Sequence, residues 1–200
     1  MIPGILLAGG KSSRMGRPKA LLPIGPHGET FFDRITRTLI AGGVEEVVVI
    51  VGADAEVIRA AVAPESLRVR IVTNPDFERG QLTSLLAGLR TVDRPGVSAA
   101  LVTLIDSPLI SVVDVQRLIR ARLERGASIV RPASSGRHGH PVIFGRELFD
   151  ELRHADPAQG AKAVVHAHAA DIFEVPTDDE GAFIDIDTPE DYERWIGRLK

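Results

Sequence analysis

The sequence predicts an α/β fold, a single-domain three-layer α/β/α sandwich around a mostly parallel sheet. Apolar runs of strand length alternate with helical periodicities over residues 1–125. One run, 47–51, consists only of β-branched residues, which is typical of a strand buried on both faces. A repeated strand–helix order produces parallel strands joined by right-handed crossovers, with helices on both faces of the sheet.

The first 125 residues are interpreted as four strand–helix pairs. Runs of aliphatic residues predict strands at 5–8, 46–51, 69–73 and 99–105. Apolar residues at helical spacing predict the helices that follow: Phe32, Ile35, Leu39 and Ile40; Val57, Ile58, Ala61 and Val62; Leu82, Leu85, Leu86 and Leu89; and Val115, Leu118, Ile119 and Leu123. Gly42 and Gly43 end the first helix, Asp54 is placed to cap the second, and Ser111 with Asp114 resembles a capping box for the fourth.

Residues 126–200 follow a less regular pattern. Strands are predicted at 129–130, 142–144 and 172–175, and short helices near 147–153 and 161–169. Thr188, Pro189 and Asp191 form a strong helix start. No segment has the composition of a linker, so residues 1–200 are predicted to form one domain.

Composition excludes several function classes. The formal net charge of −3 provides no overall basic field for nucleic acid. The absence of cysteine excludes disulfides, cysteine nucleophiles and thiolate zinc sites. No apolar run reaches the roughly 18 residues of a membrane span, and the first residues do not resemble a signal peptide. We therefore expect a cytoplasmic protein with no nucleic-acid or membrane partner.

Charge is unevenly distributed along the chain. Residues 1–28 contain four basic residues and no acidic one, whereas residues 171–193 contain ten acidic residues and no Lys or Arg. Such runs are commonly solvated faces. The alternative is a phosphate-binding region early in the chain and a metal-binding region late in it.

The segment after the first predicted strand is a candidate phosphate loop. Residues 8–19 combine Gly9, Gly10 and Gly16 with the cations Arg14 and Lys19. Ligands of open α/β sheets bind beyond the carboxyl ends of the strands, and backbone amides of glycine-rich loops can form an anion-binding nest. The spacing matches neither a Walker loop nor the dinucleotide fingerprint. The alternative is a mobile surface loop with incidental basic residues.

Two aspartates are candidate metal ligands. Asp106 ends the fourth predicted strand, and Asp187 belongs to an Asp-x-Asp pattern with Asp185. Alternation of side chains along a strand would place the carboxylates of Asp185 and Asp187 on the same face. Mg²⁺ is commonly held by one or two carboxylates together with substrate phosphates. The competing interpretation is that Asp106 and Asp187 are turn or helix caps.

Four further polar residues are candidate ligand contacts. His138 and His140 lie in a Gly- and Ser-rich loop without an obvious third metal ligand, which favours substrate recognition over a metal site. Asn74, before Pro75, is placed either to hydrogen-bond a ligand or to close the turn. Ser84 is placed either to reach a ligand from the start of its helix or to be an ordinary serine of the first helical turn.

Several of these features form a recognisable combination. It comprises Leu7-Ala8-Gly9-Gly10, Ser13-Arg14-Met15-Gly16, Pro18-Lys19, Leu21-Leu22-Pro23, Asn74-Pro75-Asp76, Gly80, Ser84-Leu85, Asp106-Ser107-Pro108 and residues 185–191. Together they resemble the MobA-like nucleotidyltransferases, which build molybdenum cofactors. The resemblance covers nearly the whole chain and implies a Rossmann-like nucleotidyltransferase fold.

Three segments look like the molybdenum cofactor cytidylyltransferase branch of that family: Gly80-Gln81-Leu82-Thr83-Ser84-Leu85, Gly139-His140-Pro141-Val142 and Gln159-Gly160-Ala161-Lys162. Gly9 departs from it, because the cytidylyl branch usually has Ala there and the guanylyl branch has Gly. Ser107 also departs from the commoner Gln or Met.

The resemblance implies Mg²⁺-dependent transfer of CMP from CTP to the terminal phosphate of molybdopterin, with release of pyrophosphate. It implies nucleotide binding by Leu7, Ala8, Gly9, Gly10, Lys19, Asn74, Gly80 and Ser84; charge stabilisation by Arg14 and Lys19; Mg²⁺ binding by Asp106 and Asp187; and acceptor binding by His138, His140, Gln159 and Lys162. Residues 1–125 would then form the nucleotide-binding half. Residues 126–200 would bind the acceptor and supply the second metal ligand.

Two other functions fit the same residues. The first is transfer from GTP or another nucleotide to the molybdenum cofactor, a sugar phosphate or another phosphate. The second is a non-catalytic carrier of the cofactor, against which the pair of metal-binding aspartates argues. A molybdoenzyme or its maturation chaperone is the protein partner that the resemblance implies.

Overall fold

The computed structural model describes residues 1–25, 27–62 and 68–197. Within these ranges eight strands form one sheet: β1 (Gly4–Ala8), β2 (Val47–Val51), β3 (Val69–Thr73), β4 (Ala99–Leu104), β5 (Ile129–Ser134), β6 (Arg137–His138), β7 (Val142–Gly145) and β8 (Ile172–Pro176). The strand order is β3-β2-β1-β4-β7-β5-β6, and β8 pairs with β5.

Helices cover both faces of this sheet. They are α1 (Phe31–Ala41), α2 (Ala55–Ala61), α3 (Gln81–Val92), α4 (Val112–Arg125), α5 (Phe149–His154), α6 (Ala161–Ala167) and α7 (Pro189–Trp195). One apolar cluster joins α1, α2, α4 and α7 to one face, and a second joins α3, α5 and α6 to the other. The predicted three-layer α/β/α sandwich is therefore confirmed. None of the described helices has the length and apolar content needed to cross a bilayer.

The first half of the sheet is parallel, as predicted. β1 pairs in parallel with β2 and β4, and β2 pairs in parallel with β3. Every residue of β2 is fully buried, in agreement with its β-branched run. Beyond β4 the direction changes, because β7 runs antiparallel to both β4 and β5. The carboxyl ends of β1 and β4 consequently lie side by side.

Three residues of the predicted helical stripes are exposed instead, namely Val57 and Ala61 of α2 and Leu123 of α4. Val57 of α2 is 55% exposed and Leu123 of α4 is 68% exposed. Ile58 is buried in α2 as predicted, and Ala121, which was not part of the predicted stripe, is buried in α4. The predicted apolar stripes therefore included positions that face solvent. Single apolar residues on an exposed helix face are common in soluble proteins.

Of the two expected helix caps, the one at Asp54 is wrong and the one at Ser111 is confirmed without the reciprocal bond from Asp114. The side chain of Asp54 makes no capping hydrogen bond to α2. Ser111 caps α4 by accepting a hydrogen bond from the backbone N–H of Asp114. The Asp114 carboxylate, however, accepts a hydrogen bond from the Thr177 hydroxyl at 2.8 Å, so it ties α4 to the segment after β8.

The prediction that Asp185 and Asp187 lie on a β-strand is wrong. Residues 184–187 are extended but join no strand of the sheet. The predicted alternation still holds, because Ile184 and Ile186 are buried and Asp185 is exposed. The backbone N–H of Ile186 donates to the carbonyl of Asp106 at 2.7 Å. That bond holds the acidic segment against the end of β4.

The predicted start of the last helix is confirmed. Thr188 and Asp191 form a reciprocal capping box at the N-terminus of α7, with Pro189 in the first turn. This cap begins one residue after Asp187, so it restricts the backbone on the C-terminal side of that carboxylate.

Close packing of α3 on β1 provides a test of the fold. A Cβ atom on Gly88 would lie 2.5 Å from Cγ2 of Ile5, inside the core. We expect Gly88→Val to lower the free energy of unfolding by about 2 kcal/mol or more through overpacking. Urea denaturation measures the change. Gly10→Val is the control, because a Cβ atom there meets nothing within 4 Å. Equal stability of the two variants would contradict the packing.

Candidate active site

A cleft lies at the carboxyl ends of β1 and β4. Its volume is about 350 Å³, and its walls come from the loop after β1, the start of α3, the end of β4 and the segment before α7. The residues that line it include Leu7, Gly9, Gly10, Arg14, Lys19, Phe77, Gln81, Ser84, Asp106 and Asp187. This is the position at which open α/β sheets bind ligands.

Lys19 joins the two predicted aspartates. Its Nζ lies 3.2 Å from Oδ2 of Asp106 and 2.5 Å from Oδ1 of Asp187. The Lys19 side chain is only 10% exposed. Its backbone N–H donates to Oγ of Ser12 at 3.1 Å, which fixes the loop in front of it. Residues far apart in the sequence therefore meet around one ammonium group.

Arg14 adds a second cation to the same carboxylate. Its Nη2 lies 3.1 Å from Oδ2 of Asp187, and its side chain is 64% exposed. Both predicted cations of the phosphate loop thus contact Asp187, Lys19 from a buried position and Arg14 from the solvent side.

The two carboxylates have opposite electrostatic settings. The hydrogen bond from Lys19 lowers the pKa of Asp187. Burial raises the pKa of Asp106, and the charge of Lys19 opposes that rise while Asp185 and Asp187 reinforce it. Burial therefore disfavours the charged form of Asp106, and the nearby ammonium group of Lys19 reduces that penalty.

The residues present fit a divalent cation. Oδ1 of Asp106 is buried and has no hydrogen-bond partner among the described residues. A carboxylate oxygen of this kind is a suitable ligand for a hard cation. Within residues 1–25, 27–62 and 68–197 no three acidic or histidine side chains are grouped to hold a metal ion alone. A pair of carboxylates completed by substrate phosphates is the arrangement that Mg²⁺ commonly adopts.

The predicted nucleotide-binding residues of β1 are not equivalent. Leu7, Gly9 and Gly10 line the cleft, whereas Ala8 does not. The Ala8 side chain belongs to the apolar cluster on the face of α1. Alternation along β1 explains the difference, because successive side chains point to opposite faces.

Asn74 and Gly80 lie behind the wall of the cleft and do not line it. Nδ2 of the buried Asn74 donates to Oγ1 of Thr83 at 2.9 Å and to Oγ of Ser84 at 3.0 Å. Gly80 precedes α3 with a φ of 109°, a conformation that favours glycine. The two residues support α3, and Ser84 alone of the three reaches the cleft.

A second cavity adjoins the cleft and shares Leu7, Gln81 and Leu104 with it. Its volume is about 370 Å³, and most of its wall is apolar. Its polar residues include three of the four predicted acceptor residues, namely His140, Gln159 and Lys162.

The fourth predicted acceptor residue, His138, lies elsewhere. It belongs to β6, and its Nε2 lies 2.8 Å from Oε1 of Glu174. It does not line the second cavity. The strand β6 ends at His138, and the backbone N–H of His140 donates outside the sheet, to the carbonyl of Ala182, so strand alternation does not relate the two histidines.

The sequence analysis did not assign a role to several residues of the site. Phe77 and Gln81 line the cleft. Ser107, which is 1% exposed, donates a hydrogen bond from Oγ to Oδ1 of Asp185 at 2.8 Å. Gln81 stood inside a recognised motif, but no local pattern marked Phe77 or the long-range contact of Ser107.

Comparisons with known proteins identify related sequences. The MobA-like NTP transferase domain matches residues 4–172. Nicotine blue oxidoreductase of Paenarthrobacter nicotinovorans is 32% identical over 98% of this chain and 96% of its own length. Molybdenum cofactor guanylyltransferase of Rhizobium meliloti is 32% identical over 99% of this chain and 93% of its own length.

A solved structure matches the fold over its whole length. Rv0371c of Mycobacterium tuberculosis has a TM-score of 0.83 and 26% identity, and the match covers 98% of both chains. The same protein in complex with manganese gives a TM-score of 0.76 at 25% identity, again over 98% of both chains. With a family domain matched over most of its length and relatives that align from end to end, this chain belongs to the MobA-like NTP transferase family.

Proposed function

We propose that this chain transfers CMP from CTP to the terminal phosphate of a molybdopterin-type acceptor and releases pyrophosphate. One observation carries the proposal: Lys19 meets Asp106 and Asp187 in a cleft that adjoins a second cavity. A cation and two carboxylates are the groups needed to bind a triphosphate with its metal ion, and the second cavity offers a separate place for the acceptor.

The phosphate loop would bind the triphosphate. Gly9 and Gly10 line the cleft, where their backbone amides would bind phosphate oxygens. Arg14 and Lys19 are expected to exchange Asp187 for the phosphates. Arg14 would act as a planar fork and Lys19 as a compact charge.

Asp106 and Asp187 would hold the divalent cation, for which we propose Mg²⁺. When bound, such an ion neutralises phosphate oxygens and the pyrophosphate that leaves. The buried Oδ1 of Asp106, which lacks a partner among the described residues, supports this assignment.

The reaction needs no strong general base. A phosphate oxygen of the acceptor is already anionic near neutral pH. It forms a bond to the α-phosphorus while the bond to the bridging oxygen breaks, and pyrophosphate carries away that electron pair. Catalysis then depends on the alignment of the two substrates and on stabilisation of negative charge by Arg14 and Lys19.

Residues 126–200 would supply the acceptor side. Lys162 is exposed at the rim of the second cavity and makes no ion pair within the described part of the chain. Gln159 lies beside it. We propose that these two side chains bind polar groups of the acceptor, and that the product passes to a molybdoenzyme or its maturation chaperone.

GTP is the second candidate donor, and Gly9 is the observation that favours it. A Cβ atom at this position would lie 2.8 Å from Oγ of Ser84, so the cleft is wider than an alanine would leave it. Curated relatives that carry the name molybdenum cofactor guanylyltransferase point the same way. The name of the Paenarthrobacter relative denotes an oxidoreductase, but paired carboxylates beside Lys19 favour phosphate chemistry here.

A nucleotide panel tests the donor. We expect pyrophosphate release with molybdopterin and Mg²⁺ to be fastest with CTP among the four common NTPs. Gly9→Ala should reduce any activity with GTP more than activity with CTP, because the added methyl narrows the cleft against Ser84. Fastest turnover with GTP would overturn the choice of base, and no turnover with any nucleotide would overturn nucleotidyl transfer.

Removal of the central cation tests the phosphate-binding assignment. We expect Lys19→Ala to lower kcat about 10²–10³-fold, the loss typical of one electrostatic contact at a transition state. Steady-state kinetics and a melting curve measure activity and folding separately. Arg17→Ala is the control, because Arg17 is exposed and its one hydrogen bond to the described residues goes to the carbonyl of Leu21. Wild-type turnover by Lys19→Ala would refute the assignment.

Removal of one carboxylate charge tests the metal assignment. We expect Asp106→Asn to raise the Mg²⁺ concentration for half-maximal activity at least about tenfold, equivalent to a loss of about 1.4 kcal/mol in binding. A Mg²⁺ titration of the initial rate measures it. Glu190→Gln, an exposed change near Asp187, serves as the control. An unchanged Mg²⁺ requirement in Asp106→Asn would count against the site.

A further inference from the structure

We propose that the hydrogen bond between Ser107 and Asp185 positions the two carboxylates that would hold the divalent cation. Ser107 directly follows Asp106 in the sequence. Asp185 precedes Asp187 by two residues. The inference rests on the proposed function and deepens it, because it extends the metal site to two residues that lie outside the cleft.

Ser107 and Asp185 are positioning residues, not ligands. Neither of them lines the cleft, whereas Asp106 and Asp187 do. Within the ranges that the structure describes, no three acidic or histidine side chains are grouped around a metal position, so Asp185 does not complete a three-carboxylate site. Any effect of the bond on the metal site must therefore pass through the backbone that carries the two ligands.

The bond is one of two adjacent contacts between the same two segments. Oγ of Ser107 donates to Oδ1 of Asp185 at 2.8 Å. The backbone N–H of Ile186 donates to the carbonyl of Asp106 at 2.7 Å. Two consecutive residues of one segment thus bond two consecutive residues of the other. A single bond would leave the segments free to rotate about it, and the second bond removes that freedom.

The chemistry of the bond makes it persistent. Ser107 is 1% exposed, so water has little access to its hydroxyl. The acceptor is a carboxylate, and hydrogen bonds to ionised groups are stronger than those between neutral groups. A buried hydroxyl that lost this acceptor would keep a donor without a partner, which is costly. The folded protein therefore favours the bonded arrangement.

The segment that carries Asp187 depends on such side-chain contacts. Residues 184–187 join no strand, so sheet pairing does not hold them. On the C-terminal side, the backbone N–H of Asp187 donates to Oδ2 of Asp191, which belongs to the capping box of α7. On the N-terminal side, the bond from Ser107 ties the segment to the turn after β4. The two contacts hold Asp187 from both directions.

A rival explanation is that Asp185 acts through its charge alone, and four variants separate the two explanations. Ser107→Ala removes the donor, Asp185→Ala removes the acceptor, and the double variant removes both. Asp185→Asn removes the charge and keeps an oxygen that accepts the bond. Asp178→Ala is the matched control, because Asp178 is another exposed aspartate between β8 and α7 and does not line the cleft.

Two measurements follow the metal site in each variant. A Mg²⁺ titration of the initial rate gives the concentration for half-maximal activity. Water proton relaxation measures the binding of the Mn²⁺ complexes of non-hydrolysable CTP and GTP analogues, which requires neither turnover nor an acceptor. A melting curve shows that each variant is folded.

We expect Ser107→Ala and Asp185→Ala each to raise the half-maximal Mg²⁺ concentration and the Kd of the Mn²⁺ complex about tenfold, the lower end of the loss typical when a partner around a metal site is removed. The double variant should lose no more than the single ones, because both remove the same bond. Asp185→Asn and Asp178→Ala should resemble the wild type.

Unchanged metal dependence in Ser107→Ala would overturn the inference. Multiplied losses in the double variant, or equal losses in Asp185→Asn and Asp185→Ala, would also overturn it. A wild type that binds the Mn²⁺ complexes but transfers no nucleotide to molybdopterin would overturn the proposed function, while the binding measurement still decides this inference. A wild type that binds neither Mn²⁺ complex would overturn both.

Discussion

The contact of one buried ammonium group with two carboxylates organises this molecule. Lys19 reaches Asp106 at the end of a central strand and Asp187 just before the last helix. The parallel strands, the loop held by Ser12 and the acidic segment bonded to the carbonyl of Asp106 all serve to bring these groups together. Without that convergence the cleft would be an ordinary surface depression at the end of a sheet.

The contact also defines an electrostatic exchange. Lys19 partly neutralises both carboxylates and Arg14 one of them, and we propose that a divalent cation takes their place when substrate binds, while the two basic side chains turn to phosphate oxygens. A nucleotide with its metal ion would supply both new partners at once: phosphate oxygens for Lys19 and Arg14, and a divalent cation for the two aspartates. The free and the substrate-bound protein can thus each satisfy the same four charges with different partners.

Local patterns predicted the parts of the fold that depend on local physics. The β-branched run of β2 and the periodic apolar residues of α1 and α3 are readable because burial imposes them residue by residue. The antiparallel β7 and the unpaired segment 184–187 were less readable, because strand direction and pairing are decided by distant partners. For the same reason the sequence motifs predicted one role, nucleotide binding, for both Asn74 and Ser84. In the structure the hydrogen bonds of Asn74 support α3, whereas Ser84 lines the cleft.

A crystal structure with Mn²⁺ and a non-hydrolysable CTP analogue tests the central claim most directly. The account predicts an anomalous Mn²⁺ peak bonded to carboxylate oxygens of Asp106 and Asp187, with Nζ of Lys19 turned to a phosphate oxygen of the analogue. A triphosphate bound outside this cleft, with Lys19 still between the two carboxylates, would contradict it.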